Sequence, residues 1–431
     1  MHIRDRRWSG GGRRVLLAVV PIALTVGLVG CSASEPGDSE EEIVLDFPSW
    51  QVNEPGNGDV LKAIVDEFES RHENVTVNLY YVSNDDFQNT IVTRLASGNP
   101  PDVIASGNHF YAFAATGQLE SLTSRLEESG LMETWQESYL EGAKYDGEYL
   151  SLPLHGHSRM LYYNTEYFAQ AGIEEPPTTP DELKADIDAI AALGLEGVSP
   201  WGATTTSHTN LFGESNAFVL GMGGSWIKDG EWTVTSPETV AALELYRELT
   251  KMAPPGLDGG KYRQLFADGR IAAIHDGNWV QAFLDEVAPA DVLDQLVPAP
   301  SPFPRAVATL GTGLSIPSGI SEERKDLVWE LIQIAAEPKF QAMWPEAINA
   351  APGLKDVITD EMVAENPVLG VLAQNIDNSV PEFPDSQNFK ANFGEIQQRI
   401  MDAIMRLQTG DEPTMTVLED LQSQLEAITE P

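Results

Sequence analysis

Between Ile43 and Ala105 the apolar residues change their spacing four times, and this alternation restricts the fold more than any other feature of the chain. Ile43 to Phe47 is an apolar run of strand length. From Asp59 to His72 the residues Val60, Leu61, Ile64, Val65 and Phe68 share one face of a helix. Val75 to Val82 (VTVNLYYV) returns to strand. Asp85 and Asp86 open a second helix bearing Phe87, Ile91 and Leu95, an acidic start that suits the helix dipole. Gly98-Asn-Pro-Pro101 stops it, and Asp102 to Ala105 is a third strand. Strand, helix, strand, helix, strand in this order predicts a parallel sheet with helices on both faces, an α/β fold.

The alternation loosens further on. Met160 to Asn164 and Arg270 to His275 read as strands, and Pro180 to Leu193 as a helix on Leu183, Ile187 and Ile190. Ser236-Pro237 is an N-cap and first-turn pair for a helix through Leu249. Trp226 and Trp232 flank Lys228-Asp-Gly230, a hairpin turn signal, which gives both tryptophans a structural role. The last third is helical: Ser321 caps one helix, Phe393 to Leu407 marks another, and Leu418 to Ile428 the last. Helices gathered at the end of a chain that began with sheet must cover more than one unit, so the chain is expected to cross between lobes more than once.

Ahead of the first strand, Arg4, Arg6, Arg7, Arg13 and Arg14 precede the apolar run Val15 to Val29, which ends in Leu28-Val-Gly-Cys31. A basic region, an apolar stretch and small residues before a cut is the layout of a secretory signal, here residues 1–30. The last four residues are similar to a bacterial lipobox, in which the thiol of Cys31 is acylated. Cys31 is the only cysteine, so it has no disulfide partner in the chain. Residues 31–42 then read as a polar tether, placing a lipid-anchored domain on the outer face of the cytoplasmic membrane. Arg13-Arg14 leaves twin-arginine export open beside the ordinary secretory route.

The whole chain carries a net charge of −40, and removing residues 1–30, with five arginines and one aspartate, leaves −44. Nucleic acid is excluded as a partner, since its phosphates demand a basic surface. A strongly acidic surface also favours a soluble monomer.

Five segments, taken in order, resemble the extracellular sugar-binding proteins of ABC importers, the family 1 solute-binding proteins. They are Phe68 to Val77, Asp86 to Val103 (DFQNTIVTRLASGNPPDV), Leu152-Pro153 with Leu161 to Leu183 (LYYNTEYFAQAGI and PPTTPDEL), Phe266 to Ala273 with Gly277-Asn-Trp279, and Gly311 to Pro317 (GTGLSIP). The resemblance implies a two-lobed periplasmic-binding-protein type II fold with three interlobe crossovers, near Pro153, Thr312 and Asn349. Lobe one would be residues 43–154 with 313–349, and lobe two 155–312 with 350–431. It also implies a carbohydrate ligand, mono- or oligosaccharide, and ABC permease subunits as partners. The histidines of His155-Gly-His157 and Ile274-His-Asp276 depart from the family pattern and leave the identity of the sugar open.

A sugar presents hydroxyls and a flat patch of C–H bonds, so its site needs aromatic faces and paired polar groups. Trp50, at the end of the first strand, and Trp279 are expected stacking residues, with Trp201 and Trp344 as further candidates. Asn108, His109 and Phe110 follow the third strand, where the family contacts ligand. His155 and His157 share a face of an extended segment, with Arg159 close by. Asp276 is expected to accept two sugar hydroxyls, and Thr312 to serve as a hinge residue touching ligand.

Other readings place a metal on His155, His157 and His109 or His275, a polyamine among cleft carboxylates, or an organophosphate on Arg159. A lipid-anchored glycoside hydrolase would need two carboxylates across the cleft, which 65 acidic residues after residue 30 supply easily by chance. With no phosphate loop, dinucleotide fingerprint or nucleophile elbow, neither cofactor nor catalysis is expected.

Overall fold

The computed structural model describes residues 42–383 and 386–429. The predicted signal segment, Cys31 and the tether as far as residue 41 lie outside the described residues.

The first strand, Ile43–Ser49, and the second, Val75–Tyr81, pair in parallel from Ile43 opposite Val75 to Ser49 opposite Tyr81. The helix between them, Asn57–Arg71, buries the five apolar residues that define its face. Ser83 caps the next helix, Asn84–Ala96, by accepting from the Asp86 N–H, so this helix starts one residue before the acidic pair. The third strand shortens to Ile104–Ala105, and the Asp102 and Val103 amides reach the Asp46 carbonyl of the first. Here the sheet departs from the parallel expectation. Ile104–Ala105 pairs antiparallel with Gly313–Ser315, which pairs antiparallel with Leu152–Pro153. Gly313–Ser315 arrives directly from the other half of the molecule and Leu152–Pro153 leads directly into it, so no crossover helix forces them parallel.

The second half is organised on one long strand, His155–Asn164, five residues longer at its start than its apolar core suggests. It pairs antiparallel with Ala273–Gly277, Leu296–Ala299, Ala306–Leu310 and Ala351–Pro352, and Ser379–Pro381 adds in parallel to Ala306–Leu310. Ser236, Ser321 and Thr179 each accept a backbone N–H at the start of the helix they precede. Asp229 and Gly230, both at positive φ, make the turn between Ile227–Lys228 and Glu231–Trp232. The C-terminal helices Phe393–Thr409 and Thr414–Thr429 pack on this half through Ile396, Ile400, Ile404, Leu418 and Leu421.

The apolar cores follow this division. One gathers residues from Leu45 to Leu154 and from Leu314 to Ala350. Two others, on the long strand, gather residues from Met160 to Ala308 and from Ala351 to Leu425, together with Tyr139. The chain therefore passes between cores three times, and the three passages are hydrogen-bonded to one another. The Leu154 N–H reaches the Thr312 carbonyl (2.7 Å), the Gly311 N–H the His155 carbonyl (3.0 Å), and the Gly353 N–H the Leu154 carbonyl (2.8 Å). Thr312 Oγ1 donates to Gln51 Oε1 (2.6 Å), and the Thr312 N–H donates to His155 Nε2 (3.0 Å).

Gly311 lets the His155 ring lie directly over the backbone, because a Cβ there would sit 2.2 Å from ring atoms Cε1 and Nδ1. Gly311→Ala is expected to cost about 1–3 kcal/mol, since the ring is held between this backbone and Trp344. Urea unfolding measures it; a loss below about 0.5 kcal/mol would mean that the ring moves aside freely.

Candidate functional site

Arg159 reaches the floor of a cleft between the two sets of cores. The cleft holds about 350 Å³ and is lined by Gly107, Tyr111 and Gly142 on one side, with Arg159, Phe212, Trp279, Glu382 and Phe393 among the residues opposite. Arg159 is the fifth residue of the long strand, and Gly213 keeps space for its guanidinium, since a Cβ there would come within 2.9 Å. The guanidinium lies 5.6 Å from the centre of the Trp279 ring and donates to Asp276 Oδ1 (3.3 Å).

Beneath the floor is a buried ionic cluster. Asp276 accepts from Arg263 Nε and Nη2 (2.6 and 3.1 Å), from the Tyr262 hydroxyl (2.5 Å) and from the Gly277 N–H (2.7 Å). Burial alone would raise the Asp276 carboxyl, but Arg263 and Arg159 overcome this and hold it below the ordinary range. Both oxygens are thus engaged by the protein in a fully buried position, and the expectation that Asp276 offers a bidentate carboxylate to a sugar is corrected. Glu214 is consumed likewise by the Thr204 N–H and hydroxyl and the Tyr246 hydroxyl; burial pushes its carboxyl up against the pull of Arg159.

Of the residues expected from the sequence, Arg159 and Trp279 line the cleft, and Gly107 lines it immediately before Asn108. Trp50 does not present a face there. It is buried edge-on against Phe87 (4.9 Å) and His109 (5.1 Å), below Gly107. His109 is tied to Asn84 and Gln88, and Phe110 is core. Trp201 and Trp344 are fully buried, the latter against His155 at 4.3 Å. His155 and His157 do share a face, ring centres 5.4 Å apart, but they belong to the passages between cores. Thr312 is buried with them. His275 packs on Phe218 and Phe303 with Nε2 at Ser301.

Sequence reasoning missed the aromatic wall. Phe383 stands edge-on to Tyr111 across the cleft (5.0 Å) and to Phe393 (4.8 Å), with Phe212 next to Phe393 (5.4 Å). The segment carrying Phe383 also bridges the cleft: Lys390 Nζ donates to the Lys144 carbonyl (2.7 Å), and Ser379 to Ser138 (2.8 Å). The signal was the run of Phe383, Phe389 and Phe393 after Ser379-Val-Pro381, too dense in aromatics for one helix face.

Two lobes joined by three hydrogen-bonded passages around a cleft with aromatic walls define a binding protein that holds a small solute between its lobes. Residues 52–342 match the bacterial extracellular solute-binding protein family, and the chain belongs to that family. It is 26% identical over 360 residues to the diacetylchitobiose binding protein DasA of Streptomyces coelicolor, covering 79% of this chain and 82% of that one. Among solved structures it is similar to the cyclic alpha-maltosyl-1,6-maltose binding protein of Arthrobacter globiformis (TM-score 0.77, 19% identity, 90% of this chain and 98% of that chain). It is also similar to UgpB of Mycobacterium tuberculosis in complex with glycerophosphocholine (TM-score 0.71, 20% identity, 89% and 98%).

Proposed function

We propose that this protein captures a neutral mono- or oligosaccharide in the cleft, outside the cytoplasmic membrane, and delivers it to the permease subunits of an ABC importer without making or breaking a bond. The lobes are residues 43–154 with 313–349 and 155–312 with 350–431, the protein acts as a monomer, and Cys31 carries the lipid anchor. Among the described residues no helix is long and apolar enough to cross a membrane. Closure of the lobes would bury the sugar and create the surface a permease reads.

The observation that carries the reading is the pairing of aromatic walls with a floor whose charge is already balanced. Trp279 and Phe393, both part-exposed, offer faces to the C–H patches of a sugar, backed by the buried Tyr111 and Phe212. Arg159, the only arginine or lysine among the described residues that line this cleft, already donates to Asp276 and lies close to Glu214 and Glu382. A phosphate would have to compete with these carboxylates, so the organophosphate bound by the UgpB relative does not suit this floor. The sugar-binding relatives agree with it.

A thermal-shift panel tests the reading. Maltose, maltotriose, cellobiose, N,N′-diacetylchitobiose and chitin oligosaccharides are compared with sn-glycerol 3-phosphate, spermidine and zinc. A ligand at 100 times its Kd adds about 2.7 kcal/mol of stability. At least one glycan is expected to raise Tm and the phosphate ester is not; a shift by the ester, the amine or the metal alone would overturn the reading. Mass spectrometry of the membrane-extracted protein reports on acylation of Cys31.

A further inference from the structure

Three carboxylates lie in or near the cleft floor, and they are not equivalent. Asp276 has five protein hydrogen bonds on its two oxygens, and Glu214 has three. Neither lines the cleft. Glu382 does, part-buried and beside Thr309, which also lines the cleft. Arg159 attracts it through space while sending its own hydrogen bond to Asp276. A carboxylate has about four acceptor positions, and among the described residues only Thr309 and Arg159 act to favour its charge, in a setting where burial disfavours it.

The backbone that carries this carboxylate is fixed on both sides. The Glu382 N–H donates to the Ala308 carbonyl (3.1 Å), and its carbonyl accepts from Asn216 Nδ2 (2.9 Å). Asn216 is itself held by Trp226, whose indole N–H donates to its Oδ1 (2.8 Å). The next residue, Phe383, is packed against Tyr111 and Phe393. A carboxylate carried on so fixed a backbone and lining a ligand-sized cleft is arranged for a partner that brings donors.

We propose that Glu382 is a specificity-determining residue, accepting two hydrogen bonds from adjacent donors of the ligand, vicinal hydroxyls or a hydroxyl beside an amide N–H, while Arg159 and the aromatic walls fix the ring. This rests on the carbohydrate reading above. The chemistry favours ligands with neighbouring donors and penalises deoxy and O-methyl analogues, because a missing donor leaves a buried carboxylate oxygen unsatisfied. It also penalises anionic ligands, which would face Glu382 directly.

The test uses the full chain and the panel glycan with the largest thermal shift, its monodeoxy analogues, and the variants Glu382→Gln and Glu382→Ala. Both variants are expected to weaken binding by roughly 10- to 100-fold in calorimetry, the worth of charge-assisted hydrogen bonds. Their discrimination between the glycan and one of its monodeoxy analogues shrinks, and their unliganded Tm is equal to or above that of the wild type, as for a group serving ligand rather than fold. Unchanged affinity and discrimination in both variants would overturn the proposal and leave the carbohydrate reading intact. A lower unliganded Tm with unchanged discrimination would assign Glu382 to structure and overturn it equally. If no glycan binds the wild type, the carbohydrate reading itself fails, and this proposal with it.

Discussion

Asp276→Ala destabilises the protein by about 3–5 kcal/mol in equilibrium unfolding, the cost of leaving a buried ionic group without its partner. The magnitude follows from what the carboxylate does. It is completely buried, it receives the fork of Arg263 and it anchors Arg159, two guanidiniums that cannot neutralise themselves by losing a proton. Removing it strands both cations against Tyr262, Trp279 and the strand backbone. Asp276→Asn keeps the shape and one acceptor and is expected to cost less than Asp276→Ala. Combining Asp276→Ala with Arg263→Met removes one stranded cation, so the double variant should be more stable than the sum of the single losses predicts. A loss below about 1 kcal/mol for Asp276→Ala would show that the arginines find water instead. Ligand affinity should fall with stability here, because Arg159 loses the group that aims it along the cleft floor.

That cluster also shows where reading the sequence succeeds and where it stops. Features decided within a few residues were legible. Ser236-Pro237, Ser321 and Thr179-Pro180 start helices because a hydroxyl meets an N–H three residues on, and Asp229-Gly230 turns because both residues tolerate positive φ. The alternation from Ile43 to Ala105 gave the first strands and helices in order. Partners set by the tertiary fold were not legible. Asp276 reads as a ligand carboxylate until Tyr262 and Arg263 arrive from the helix Gly259–Ala267. The long strand reads from Met160 because His155 to Arg159 is polar; it is extended from His155 because neighbouring segments on the way between lobes supply its hydrogen bonds. The tryptophans show the same limit. Trp50 has the right residue type at the right strand end, yet Gly107 admits it beneath the cleft wall, and aromatics as far apart as Tyr111 and Phe393 form the surface instead.

His157 links these passages to pH. Burial depresses its pKa to about 4, and Asn278 Nδ2 donates to Nδ1 (3.1 Å), which holds the neutral ring. Asn278 does more than hold the ring: its Oδ1 accepts the Ser158 N–H (3.0 Å) and its Nδ2 also donates to the Asn349 carbonyl (2.5 Å), at the third passage between lobes. Protonating Nδ1 would set an N–H donor against the Asn278 amide donor and loosen this bridge. The native state therefore resists protonation until about pH 4, whereas the unfolded chain takes up the proton near pH 6.5. The unfolded state binds more protons across that interval, so stability falls as pH drops from about 6.5 to about 4 and levels off below. The slope is about 1.4 kcal/mol per pH unit, for a total near 3 kcal/mol from this group. His155, 5.4 Å away and also depressed by burial, adds in the same direction, while Glu214 and Glu382, with raised carboxyls, act oppositely. His157→Asn isolates the term, since its side-chain oxygen can still accept from Asn278. The expected result is a wild type that loses about 1.4 kcal/mol more than the variant for each unit between pH 6 and 4.5, measured by urea unfolding. Parallel pH profiles would mean that the ring is already protonated in the native protein, and that Asn278 ties the lobes together without it.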